Sequence, residues 1–261
     1  MPRSVDKNVV KRYVVSPDKH FPLHDQPAIN CLIKAIEIIK PHGYIDIGDI
    51  IEAEGCSHWQ WRKKRRPPLE YQLPFVEADI DEGNAGLDMI DEVLDKVNCK
   101  IKYYCQGNHD EWLDRFVEEN PFLKELEFKK ALKFAERGYT YYPFGKILKI
   151  GKLNFYHGHQ YSGIQHTRTH LLRMGANIMY GHHHDIQQTS VTHLDGPKSA
   201  WAIGCLKDMN AEANKWLGNR QVNWGHAFSI VDYYDKGMFT VSVINILNGR
   251  MSLWGELIDG N

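Results

Sequence analysis

Five short apolar runs in this chain each end in aspartate, asparagine or histidine, and four carry a glycine beside that residue. They are YVV-SPDKH (13–20), YIDI-GD (44–49), YYCQ-GNHD (103–110), NFY-HGH (154–159) and NIMY-GHHH (177–184). In α/β sheets, sites are assembled beyond the C-terminal ends of strands, on loops that a rigid sheet holds in place. Glycine at such a turn lets the backbone reverse tightly or lets a ligand come close. One run of this kind means little. Five that all deliver metal-ligand residue types describe one site at one end of a sheet.

The last of them, GHHHD (181–185), places three imidazoles in a row. On an extended backbone successive side chains point to opposite faces, so His182 and His184 aim at one point while His183 faces away. Two readings stay open on this stretch alone: a polar loop, or two neutral imidazoles converging on a metal.

The rest of the chain narrows the class. Its 261 residues suit one α/β domain, and 43% hydrophobic with 25% charged residues is the balance of a globular protein rather than a disordered one. A formal net charge of −1 excludes attachment to nucleic acid or membrane by bulk charge, though not through a local basic patch. Cys31, Cys56, Cys99, Cys105 and Cys205 are odd in number and form no C-x-x-C pair, which reads as reduced, mostly buried thiols. MPRSVDKNVVKRY lacks the apolar core of a signal peptide, and no apolar run approaches membrane-spanning length. The expected setting is cytoplasmic.

Asp25 or Gln26, then Pro27, opens a helix over PAINCLIKAIEIIK, with Ile29, Leu32, Ile33, Ile36 and Ile39 at helical spacing and a stop at His42-Gly43. Residues 53–80, centred on WQWRKKRRPP, read as irregular, and a helix over GLDMIDEVLDKV follows them. Residues 111–137 read as helical with a break at Asn120-Pro121, and THLLRM as a short helix. The chain ends β-rich, with MFTVSVINIL and MSLWGELI either side of an Asn248-Gly249 turn. Without a repeat or a Gly/Ser linker, residues 1–261 form a single domain carrying an insertion at about 53–80.

In order, the ligand-type residues read Asp-x-His, Gly-Asp, Gly-Asn-His-Asp, His-Gly and Gly-His-x-His, between residues 18 and 184. This series resembles the calcineurin-like metallophosphoesterase superfamily. The resemblance implies an α/β four-layer sandwich: two facing mixed β-sheets flanked by helices. It implies one divalent metal held by Asp18, His20 and His184 with Asp49 bridging, and a second held by Asp49, Asn108, His157 and His182. His183 is then no ligand, and the same period-two geometry puts Asp18 and His20 on one side with Lys19 turned away. Mixed nitrogen and oxygen ligation without thiolate favours Mn, with Fe or Zn as alternatives. The implied chemistry is phosphoester hydrolysis by a bridging hydroxide, with His109 protonating the leaving oxygen. Relatives orient that histidine with the last aspartate of Gly-Asp-x-x-Asp. Here the motif is GDIIE, so Glu52 takes that place, with Asp110 as a fallback partner.

Protein phosphatases of the superfamily carry Gly-Asp-x-x-Asp-Arg-Gly and Gly-Asn-His-Glu, whose extra arginines clamp a phosphomonoester. GDIIEAEG and GNHDEW place no arginine directly after either motif, which favours a diester in a nucleic acid or nucleotide. The basic, Trp-containing stretch Trp59–Arg66 adds to that, with Arg62, Lys63, Lys64, Arg65 and Arg66 as phosphate contacts beside stacking tryptophans. His159 is a candidate substrate contact. The alternatives are a phosphomonoesterase acting on small molecules or proteins, and a non-catalytic scaffold of the same fold. The other histidines, His24, His58, His166, His170, His193 and His226, read as surface or hydrogen-bonded residues, and the tryptophans Trp201, Trp216, Trp224 and Trp254 as core, dimer face or substrate wall.

Overall fold

The computed structural model describes residues 10–58, 65–210, 214–218 and 220–261. Trp59, Trp61, Arg62, Lys63 and Lys64 lie outside them.

The first strand, β1 (Lys11–Ser16), runs through YVV and buries Val14 and Val15 completely. Helix α1 (Gln26–Ile39) follows. Asp25 caps it by accepting from the Ala28 N–H at 2.8 Å, Pro27 sits in the first turn, and Ile29, Leu32, Ile36 and Ile39 are buried along one face. The helix stops before the expected His42-Gly43, at Lys40 in the left-handed conformation (φ 47°). Strand β2 (Gly43–Asp46) is buried throughout.

The expectation of irregular chain over 53–80 fails in its second half. Helix α2 spans Leu69–Lys96, taking in Pro74 and two glycines. Low intrinsic propensity is overridden by packing. Gln72, Val76, Ile80, Gly83, Leu87, Ile90 and Leu94 form one buried face. A side chain at Gly83 would run into Ile51, and one at Gly86 into the Phe21 ring. These glycines let α2 lie close against the loops that follow β1 and β2.

Strand β3 (Ile101–Cys105) leads into helix α3 (Asn108–Glu119), which ends at Asn120 as its Asn-Pro break predicts. Beyond it the helix expected to 137 is reduced to a 3-10 stretch, Pro121–Leu126, and one turn at Phe128–Ala131. Short strands β4 (Tyr139–Tyr142), β5 (Leu148–Ile150) and β6 (Leu153–Phe155) come next. Helix α4 (His166–Met174) then precedes β7 (Ile178–Tyr180), β8 (Ile186–His193) and β9 (Gly196–Ile203). The chain closes with β10 (His226–Tyr234), β11 (Met238–Ile246), β12 (Arg250–Leu253) and β13 (Glu256–Asp259). MSLWGELI is thus a hairpin of its own, β12 against β13, rather than a strand returning along β11.

These strands form two large mixed sheets, one ordered β11-β10-β1-β2-β3-β4 and the other β5-β6-β7-β9-β8. Between them Val15, Ile45, Ile47 and Val231 of the first pack with Phe155, Met179, Trp201 and Ile203 of the second. On the outer face of the first sheet, α1, α2 and α3 bury Leu32, Ile36, Leu87, Ile90 and Phe116 against Val14, Tyr44, Tyr104 and Phe228. On the outer face of the second, Leu171 of α4 packs with Tyr156, Ile178 and Tyr180. The expected four layers are present: helices, sheet, sheet, helix. β1, β2 and β3 run parallel, as do β6 and β7. Within each sheet the ligand-bearing loops therefore leave at the same end. Among the described residues, no helix is long and apolar enough to cross a membrane.

Candidate metal centre

The five loops meet. Asp18 Oδ2 lies 3.2 Å from His184 Nε2, which lies 3.1 Å from His20 Nε2, and His20 Nε2 is 3.7 Å from Asp49 Oδ2. On the other side of Asp49, the same Oδ2 is 3.1 Å from His157 Nε2, which also approaches Asn108 Oδ1 at 2.9 Å and His182 Nδ1 at 3.2 Å. The side chains separated by up to 166 positions in the sequence thus form two adjoining groups, Asp18-His20-His184 and Asp49-His157-His182, each compact enough to hold one ion. His109 belongs to a further such group with His20 and Glu52.

Glycine makes the convergence possible. A side chain at Gly107 would overlap Asp49, and one at Gly181 would overlap the Asp18 carboxylate. The backbone itself is taut here: Asp49 (φ 51°), His20 (φ 55°), His182 (φ 63°) and His184 (φ 61°) are all left-handed. GHHHD is therefore no extended segment, and strand alternation is the wrong reason for what His182 and His184 do. They turn inward through two left-handed residues flanking His183. His183 faces the opposite way, stacked on the His166 ring at 3.9 Å with its Nε2–H donating to Tyr161 O at 2.9 Å. Lys19 turns away from Asp18 and His20, donating to Asp46 at 2.7 Å inside the fold.

The donor set fits divalent metal. His157 donates its Nδ1–H to Ile47 O at 2.9 Å, so a neutral His157 turns a bare lone pair towards the oxygens of Asn108 and Asp49. Asp18 Oδ1 and His184 Nδ1 are buried without a hydrogen-bond partner. Lone pairs crowded at about 3 Å repel unless a cation or a proton sits among them. The electrostatics agree. Burial raises the Asp49 carboxyl, but the imidazoles of His157 and His109 outweigh it and hold it well below the usual carboxylate range. At Asp18 burial is outweighed in the same way by His157 and His184. His157 responds in the opposite sense: burial would lower it, yet Asp49 and Asp18 push it up to about 10. A positive charge belongs at this point, and without metal a proton on His157 supplies it.

His109 is held by two fixed contacts. Its backbone N–H donates to Asp49 Oδ1 at 2.9 Å, and its Nδ1–H donates to a carbonyl, Glu52 O, at 2.6 Å. This corrects the expected carboxylate–histidine pairing. Glu52 orients His109 through its backbone, while its carboxylate accepts from Lys207 at 2.6 Å and lies 2.9 Å from His20 Nδ1. Burial tends to raise Glu52, and His20, His109 and Lys207 together bring it far below the ordinary value. Asp110 is no partner for His109 either. Its carboxylate accepts from the backbone N–H groups of Asp49, Ile50 and Gly107 and from the Tyr104 hydroxyl, at 2.6–3.0 Å. It ties the Asp49 loop to the start of α3.

The remaining candidates sit further out. His159 stacks on Phe144 at 4.0 Å, with its ring 6.5 Å from that of His157, and burial with His157 pushes it down to about 4. Arg65 is exposed. Arg66 pairs with Glu119 at the far end of α3, about 15 Å along the helix from His109. Three contacts have no signal in the sequence or only a faint one. Lys207 closes on Glu52 across 155 residues. Trp112 lies against His109, their ring centroids 3.9 Å apart, and Trp224 lies against His184 at 4.7 Å.

No family model matches the chain, and no curated protein matches it in sequence. Among solved structures it is similar to Vps29 of Entamoeba histolytica complexed with Zn2+, at 11% identity over 96% of this chain and 99% of that one, with a TM-score of 0.49. It is also similar to Vps29 of Chaetomium thermophilum, at 10% identity over 95% and 97% of the two chains, TM-score 0.46. A third is YfcE, a phosphoesterase from E. coli, at 13% identity over 90% and 100%, TM-score 0.38. With all three TM-scores below 0.5, the reading of the site rests on its own geometry.

Proposed function

We propose that this chain is a metal-dependent phosphoester hydrolase of the calcineurin-like metallophosphoesterase superfamily, acting on a phosphodiester in a nucleic acid or nucleotide. One observation carries the reading: Asp49 stands between two adjoining groups of buried oxygen and nitrogen donors, with Asp18, His20 and His184 on one side and Asn108, His157 and His182 on the other. No cysteine belongs to either group, which favours Mn, with Fe or Zn as alternatives. Two such ions supply an activated water and a Lewis acid for the phosphoryl oxygens.

The chain's own residues do the rest. Asp49 and Asp18 hold negative charge against the ions. His109 keeps its Nδ1–H on Glu52 O and, as the imidazolium, gives its second proton from Nε2 to the leaving oxygen, returning to the neutral ring. Glu52 and Lys207 neutralise one another beside it, so that lysine is engaged rather than waiting for a phosphate. A monoester dianion asks for such a cation beside the reacting phosphorus; a diester carries one charge less there and depends on it less. The run Arg62, Lys63, Lys64 and Arg65 supplies positive charge for a polynucleotide, and His159, pushed down to about 4, a neutral contact. The five buried free thiols accord with work in a reducing, cytoplasmic setting.

The test is hydrolysis of bis-p-nitrophenyl phosphate against p-nitrophenyl phosphate, with Mn2+ and with chelator. The expected result is diester turnover that needs the metal. Preference for the monoester would make the protein a phosphatase, and turnover of neither under any metal would make it a scaffold.

A further inference from the structure

Next to the metal centre is an aromatic surface that the proposed chemistry leaves unused. Trp224 lies with its ring 4.7 Å from that of His184 at an interplanar angle of 64°. Trp216 continues outward from it at 6.1 Å, and the Arg220 guanidinium lies over the Trp216 ring at 5.6 Å. Trp216 is 61% exposed although it is among the largest apolar side chains in the protein.

The chain that carries Trp224 is pinned to the ligand loop. Gly225 N–H donates to His184 O at 2.9 Å, Gly204 N–H donates to Asp185 O at 2.9 Å, and Trp224 bridges Asp185 as a short antiparallel contact. The backbone of Trp224 is thereby held beside the ligand loop, with its ring against that of His184. From it the surface extends away from His184 with a positive charge over its outer ring. An indole in water loses apolar surface when a flat ring covers it, and a guanidinium beside it offers hydrogen-bond donors to acceptors on that ring's edge. A nucleobase joined to a phosphate satisfies both.

We propose that Trp224, Trp216 and Arg220 form the base-binding wall of the site: a nucleobase stacks on the exposed indole while its own phosphate reaches the metal centre. This rests on the phosphoesterase reading and names its substrate class as nucleotidyl phosphoesters. Base stacking on an aromatic side chain tolerates every base, so the wall selects for a base without selecting which one.

The test compares adenosine 5′-monophosphate with ribose 5-phosphate, which differ only by the base, in calorimetric titrations of the Mn2+-loaded full chain. The wild type should bind the nucleotide about tenfold tighter, within the range expected for one stacked base. Trp216→Ala should abolish that preference while leaving ribose 5-phosphate affinity and Mn2+ content unchanged. Trp216→Phe, which keeps a flat ring, should restore most of it. Equal binding of the two ligands by the wild type, equal weakening of both by Trp216→Ala, or binding of neither at millimolar concentration would overturn the proposal. If Trp216→Ala instead only changes the oligomeric state, the indole belongs to an interface between copies of the chain. The two readings separate cleanly. A base preference without turnover of any ester keeps the wall and removes the hydrolase, while metal-dependent turnover of simple diesters without a base preference does the reverse.

Discussion

The two sheets contribute differently to the centre they share. Loops of the first sheet bring the charge and the tuning groups: Asp18, Asp49 and Glu52, with Asn108, His20 and His109. Loops of the second sheet bring the imidazoles His157, His182 and His184, and the connection after β9 adds Lys207 beside Glu52. The supports differ accordingly. The acids are held by N–H donors, with the His182 N–H on Asp18 and the His109 N–H on Asp49, while Asp110 gathers the backbone of the Asp49 loop. On the second sheet His157 is held from behind by the Ile47 carbonyl, and the GHHHD loop by the stack of His183 on His166. Asp18 therefore has its compensation delivered from the second sheet by His157 and His184, Asp49 shares His157 with the first sheet's His109, and each sheet alone holds an incomplete site.

The contrast breaks most completely at Asp49, which touches both halves. Asp49→Ala should lose metal and turnover together, by about 10³-fold or more in kcat/KM, because several kcal/mol of charge stabilisation go with the ions. Metal content measured beside diester turnover checks it, and a variant with full turnover removes Asp49 from its bridging place. His109→Ala lies wholly on the first sheet and should keep both ions. Its kcat should fall about 10²–10⁴-fold for esters with poor leaving groups and much less for p-nitrophenyl esters, which need no proton. Equal losses on the two kinds of ester would refute the acid role.

Legibility in the sequence divides along the same line as distance in the chain. The ligand loops can be read because glycine and ligand residues crowd into windows of a few residues after each strand. Helix α1 can be read because its cap, proline and apolar stripe are all local. Helix α2 cannot. Pro74, Gly83 and Gly86 argue against it, and their justification is Phe21 and Ile51, which arrive from other loops. Glu52 is found in the expected place with the wrong atom at work, since the sequence names a side chain and His109 uses the carbonyl. GHHHD teaches a finer point. Alternation along a strand and two left-handed residues both turn His182 and His184 the same way, so a correct outcome there does not vouch for its reason.

The second sheet's support can be tested without touching a ligand. His183→Ala removes the stack on His166 and the hydrogen bond to Tyr161 O, leaving two left-handed histidines with less to hold them. Outer-shell partners of metal ligands typically matter by 10–100-fold in affinity. Mn2+ titration should show a loss of about tenfold, with little change in kcat at saturating metal. An unaltered affinity would mean that the strained turns hold themselves.

The smallest effect concerns stability, and it asks whether acids on the first sheet's side sort by what faces them. Glu52 faces His20 and Lys207 and is held low; Asp79, on α2, accepts from the Gly55 N–H at 3.3 Å and is pushed up to about 7 by burial, with Glu52 and Glu54 adding to it. Its folded value thus lies above the unfolded value of about 3.9, so the folded state binds this proton more tightly. The contribution from Asp79 is complete at low pH and is lost as pH rises from about 4 through about 7. Asp79→Asn keeps an oxygen for Gly55 and cannot ionise. Relative to wild type it should gain about 1–2 kcal/mol between pH 5 and pH 8, after discounting for its partial exposure. Urea denaturation at the two pH values measures that gain. A difference that stays constant across the window would mean that Asp79 already shares the compensation reaching Glu52, and the sorting of acids by their facing partners would stop at the ligands themselves.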